Sequence, residues 1–91
     1  MKAILIKTTG ETMFVEPKNK KDFTLEELYA LIGCDMIEVV YPAWDNGNIF
    51  IIDEEGKLTG KGVNPAATFM WGYASDVLVG DVIYCPSEML K

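Results

Sequence analysis

The sequence predicts an α+β domain: a mostly antiparallel sheet of about five strands with two short helices against it. Three observations predict it. Short β-branched runs bounded by turn residues recur along the chain, two stretches carry helix-capping signals, and 91 residues suit one domain. Apolar residues make up 49% and charged residues 24%, a globular composition. We read residues 1–91 as a single domain, with 86–91 as a flexible tail.

The elements follow in order. Lys2-Ala3-Ile4-Leu5-Ile6-Lys7 is a short β-branched run that ends at Thr8-Thr9-Gly10. Thr12 to Glu16 is its hairpin partner, and Pro17 stops it. Thr24 and Glu27 have the spacing of a capping box, with Phe23 and Leu28 placed as a hydrophobic staple. Leu25, Leu28, Leu31 and Ile32 then repeat at helical spacing, and Gly33 suits the left-handed residue after the helix. Asp35 to Tyr41 reads as a strand with Ile37, Val39 and Tyr41 on one face. Asn46-Gly47 predicts a tight turn with two positive φ values. Asn48 to Asp53 is apolar on both faces, which predicts an interior strand. Asp53 to Gly56 reads as a turn, and Lys57-Leu58-Thr59 as a short return strand. Asn64 as N-cap and Pro65 at the first position predict a second helix through Trp71, ended by Gly72. Val77 to Val79 is a short extended piece, and Val82 to Cys85 is the last strand.

The missing residue types narrow the function. The chain has no His, no Arg and no Gln. The commonest general base and metal ligand is therefore absent, and so is the side chain that clamps phosphates in a bidentate way. Ser75 and Ser87, like Cys34 and Cys85, have no His to activate them. No Cys or carboxylate spacing matches a zinc or calcium site. We expect no catalytic residue, no cofactor and no metal. Cys34 and Cys85 read as reduced thiols in a cytoplasmic protein, although a disulfide between them stays open. No apolar run approaches the length of a membrane span, so no membrane partner is expected.

Charge is uneven. The net charge is −6, yet residues 22–56 hold nine acids and no Lys. The plain reading is a solvated acidic surface. The sharper one is an acidic face that docks on a basic protein or imitates DNA, with Asp45, Asp53, Glu54 and Glu55 as its residues. Direct nucleic-acid binding is disfavoured, because Lys18, Lys20 and Lys21 are the basic cluster and they fall in a turn.

The other candidate is the loop before the second helix. Gly60, Lys61 and Gly62, with the free amides after Asn64, suit a phosphate or carboxylate, and Lys61 is expected on the surface. The competing reading is a structural loop in which Asn64 only caps. Trp44 beside a turn, or Trp71, would stack on a base, although Trp71 equally suits the core.

Three stretches carry a family resemblance. Ile51-Ile52-Asp53-Glu54-Glu55-Gly56-Lys57-Leu58, then Asn64-Pro65-Ala66-Ala67-Thr68, then Asp76-Val77-Leu78-Val79-Gly80-Asp81-Val82-Ile83 are similar to the domain-of-unknown-function family 3846. With the helix and I-E-V-V strand before them, the likeness covers residues 25–84. It implies a small protein of a phage or another mobile element, a context in which counter-defence is an analogy. The expectation is a non-enzymatic binding protein. It either sequesters a small anionic nucleotide signal or covers a host protein, and a structural or regulatory module is the third reading. A chain this small favours a homo-oligomer to complete a pocket.

Overall fold

The computed structural model describes residues 3–44 and 46–90. Its five strands are β1 (Ala3–Ile6), β2 (Thr12–Val15), β3 (Ile37–Val40), β4 (Asn48–Asp53) and β5 (Val82–Pro86). Helix α1 spans Leu25–Ile32 and α2 spans Pro65–Trp71, and a 3-10 turn covers Ser87–Met89. The strands form one sheet in the order β2-β1-β5-β4-β3, with every neighbouring pair antiparallel. This is the α+β fold that the sequence predicts.

The last strand fills the middle of the sheet. β5 sits between β1 and β4, so its apolar residues face covered layers on both sides, and Val82, Ile83 and Cys85 are buried. Alternation along the strands then divides the core in two. Leu5, Ile49, Ile51, Ile83 and Cys85 pack with Phe23, Leu28 and Ile32 around α1. Ile6, Phe50 and Val82 pack with Ala67 and Leu78 on the opposite face, under α2.

Both helices start and stop where their caps lie. The Thr24 hydroxyl accepts from the Glu27 amide at 3.2 Å, and the Glu27 carboxylate accepts from the Thr24 amide at 2.9 Å. Gly33 closes α1 with φ 79°, its amide donating to the Tyr29 carbonyl. Asn64 and Gly72 bound α2 in the same way.

Two expectations need correction. Lys57-Leu58-Thr59 is not a strand: the chain stays in turns there, held by the Thr59 amide donating to the Glu55 carbonyl at 3.0 Å. Val77 to Val79, read as a short extended piece, makes one bridge, Val63 to Val79. Gly47 has φ 81°, the positive value expected of the second residue of the Asn46-Gly47 turn. The Asn46 side chain accepts from the Asn48 amide and donates to the Tyr84 hydroxyl, which holds the connection from outside. The end of the chain is packed: Met89 is buried, its carbonyl accepts from the Phe23 amide at 2.8 Å, and Leu90 bridges to Phe23. The Met89 side chain and these two backbone contacts anchor Met89 and Leu90 beside α1.

Candidate functional site

The Gly-Lys-Gly loop is the first place to look for an anion. Asn64 is fully buried there. Its amide nitrogen donates to the Ile6 and Gly80 carbonyls, both at 2.9 Å, and its oxygen accepts from the Ala67 amide at 3.1 Å. All of its strong hydrogen-bonding directions go to the fold. It joins the end of β1, the start of α2 and the turn into β5.

Lys61 is not a free surface lysine. Its ammonium lies 2.8 Å from Asp53 Oδ2, donates to the Gly33 carbonyl at 2.8 Å and reaches the Ile32 carbonyl at 3.5 Å. Three donors therefore meet three acceptors. Helix α1 has no basic residue in its last turn, and Lys61 supplies that charge from a distant loop. Gly80 makes room for it: a Cβ there would lie 2.8 Å from Lys61 Cδ, and φ is +75°. Burial tends to raise the Asp53 carboxyl, but the Lys61 hydrogen bond and the Glu55 amide outweigh it and hold the group below its ordinary value. Gly60 and Gly62 are exposed or partly so around this pair, and the Gly62 carbonyl accepts from the Gly80 amide at 2.8 Å. Lys61 and Gly62 line a shallow depression with Thr8, Ile32, Gly80 and Asp81, and no aromatic ring faces it.

The two tryptophans lie elsewhere. Trp44 is 75% exposed and packs at Gly72, whose Cβ would lie 3.0 Å from its ring. Trp71 is half-buried and its ring meets that of Tyr73 at 4.9 Å between centroids. The Trp71 indole N–H is buried and has no partner. Trp71 forms one wall of a cleft of about 250 Å³ against the sheet. Val40 and Ile52 supply the sheet side of this cleft, Val77, Leu78 and Val79 the opposite wall, and Glu38, Glu54, Lys57 and Asp76 line it too.

The charges of the cleft are unequal. Lys57 and Asp76 form an ion pair, and that contact holds the Asp76 carboxyl below its ordinary value. Asp53 is paired with Lys61. Glu38 and Glu54 are exposed and have no cation among the described residues. The cleft therefore offers an apolar floor and two open carboxylates. That set suits the alkyl stem and cationic end of a basic side chain.

Of the proposed acidic interface, Asp53 faces inward and Glu54 borders the cleft. Glu55 is exposed, its amide donates to Asp53 Oδ1 at 2.9 Å, and it does not line the cleft. Asp45 lies outside the described residues. Glu38, Lys57 and Asp76 were not singled out from the sequence. Glu38 was legible in principle, since strand alternation sets it opposite Ile37 and Val39 on the face that α2 covers.

Both cysteines are free. Burial pushes the Cys85 thiol up to about 11, and burial followed by the Asp53 charge raises Cys34. Neither is a thiolate at neutral pH. No helix among the described residues is long and apolar enough to cross a membrane.

The family model described as Domain of unknown function (DUF3846) matches residues 1–88. No curated protein and no solved structure matches the chain. The family description carries no activity. Several residues behind the resemblance, Asn64, Ala67, Thr68, Gly80 and Asp81, hold the fold together here. Thr68 Oγ1 accepts from the Leu78 amide at 2.9 Å, and Asp81 accepts from the Thr8 amide at 3.1 Å.

Proposed function

The chain belongs to the DUF3846 family, and from that premise we propose that it is a non-enzymatic protein-binding module that receives basic side chains of a partner in the Trp71 cleft. In the setting of a phage or mobile element, that partner is a basic host protein. One observation carries the reading: Glu38 and Glu54 border a cleft with an apolar floor and have no ion-pair partner among the described residues, while the loop lysine on which anion binding depends is already bonded. Nucleotide sequestration thereby loses its principal cation, and its two candidate tryptophans do not face the loop. The segment 22–56, with nine acids and no Lys, supports the same choice of partner charge.

Polylysine is the probe. Titrated into the protein and followed by amide shifts, it should perturb residues around Trp71, Val40 and Ile52. Glu38→Lys with Glu54→Lys should weaken that binding by at least about tenfold. Both positions are exposed, so the double variant should fold normally. Equal affinity of the two proteins for polylysine would remove the cleft from consideration.

A further inference from the structure

The cleft opens beside an unpaired strand. β3 ends the sheet, with β4 on one side and, among the described residues, no strand on the other. The Glu54 amide donates to the Met36 carbonyl at 3.1 Å, and the register continues through Glu38–Ile52 and Val40–Phe50. In an antiparallel pair only alternate residues face their partner. Met36, Glu38 and Val40 therefore point their backbone groups at β4. Ile37 and Val39 point theirs outward, and among the described residues nothing pairs with them.

Natural edges are blunted by Lys, Pro or a bulge. The run Ile37-Glu38-Val39-Val40 has no Lys and no Pro, and its register with β4 shows no bulge. Its one charge is Glu38, which lines the cleft. At the opposite edge, β2 is followed by Pro17, Lys18, Lys20 and Lys21. A basic chain is repelled there and attracted at β3, which Asp35, Glu38 and Glu54 surround.

We infer that β3 accepts an extended segment of a basic protein as a sixth strand, with alternate lysine side chains of that segment lying over Glu38 and Glu54 into the Trp71 cleft. Main-chain hydrogen bonds to Ile37 and Val39 supply affinity, and the alternation of the added strand supplies the choice of side chain. The inference rests on the proposed protein-binding reading and adds the mode of binding to it.

A short peptide alternating lysine and threonine tests it, against the same peptide with N-methyl groups on alternate amides. N-methylation keeps every charge and removes the strand-pairing donors. The unmodified peptide should bind, with the Val39 amide becoming protected from exchange, and the methylated peptide should bind at least about tenfold more weakly. Val39→Pro should fold, since an outward amide at a sheet edge is where proline is accepted, and it should lose the peptide by a similar factor. If both peptides bind equally and the glutamate double variant weakens both, strand addition is wrong and the charged cleft stands. If neither binds, both ideas fall. If β3 is instead covered by a second copy of the chain, sedimentation shows a self-associating species that the peptide does not dissociate, and the inference fails.

Discussion

Lys61 makes three contacts through one nitrogen: Asp53 at the end of β4, and the last carbonyls of α1 at Ile32 and Gly33. Removing the charge leaves the Asp53 carboxylate, which is nearly buried, without its cation. Lys61→Met should cost about 2 kcal/mol, the scale of a hydrogen bond to a charged group. Asn64→Ala should cost more, about 3 kcal/mol, since it strands the buried Ile6 and Gly80 carbonyls and the Ala67 amide together. Urea melts of both variants check the order. The Lys61 effect also depends on pH. The folded Asp53 carboxyl lies below its ordinary 3.8, so its stabilisation is complete above that value and is lost as pH falls through the folded one. The gap between wild type and Lys61→Met should therefore close on acidification below 3.8, and a gap independent of pH there would show that Asp53 is not the partner that matters.

At the scale of elements, α1 is short and depends on its first turn. Its eight residues would be marginal alone. The capping box satisfies amides at its start, and Glu27 reaches further, accepting from the Lys18 amide at 2.8 Å. Those backbone contacts at Thr24 and Lys18 hold the Glu27 carboxyl below its ordinary value. One carboxylate thus joins the helix to the turn after β2. Thr24→Ala should lower stability by about 1 kcal/mol. A thermal melt with an unchanged midpoint would mean the cap contributes nothing measurable.

Across the whole molecule, the two ends of the chain close the core together. β1 and β5 are neighbours in the sheet, and the 3-10 turn after β5 returns Met89 to the cluster of Phe23, Leu28 and Ile32. Met89→Ala should destabilise by about 3 kcal/mol, as for other buried large-to-small changes. Removal of Ser87 to Lys91 should cost at least as much, because the Phe23 amide also loses the Met89 carbonyl. A truncated chain as stable as the intact one in urea would contradict the packing of this segment.

Local chemistry made much of this fold readable in advance. The capping box at Thr24, the Asn64-Pro65 start and the glycines at 33 and 72 act within a few residues of themselves, so both helices were legible almost to their ends. The five strands were legible for the same reason, from short apolar runs between turn residues. What failed needed distant partners. Leu58 and its neighbours have the composition of a strand, yet among the described residues they pair with none and stay in turns held by local hydrogen bonds. Met89 reads as tail until Phe23 is beside it. Lys61 and Asp53 fall in two different candidate sites along the sequence, because their separation along the chain hides that they are one ion pair. The cleft at Trp71 was not legible at all. Its walls come from β3, β4, α2 and residues 77–79, and they meet because α2 packs on the face of the sheet opposite α1. Periodicity and capping are properties of neighbouring residues and determine elements. The pairing of charges and the opening of a cleft are properties of the packed arrangement, which decides what each side chain faces.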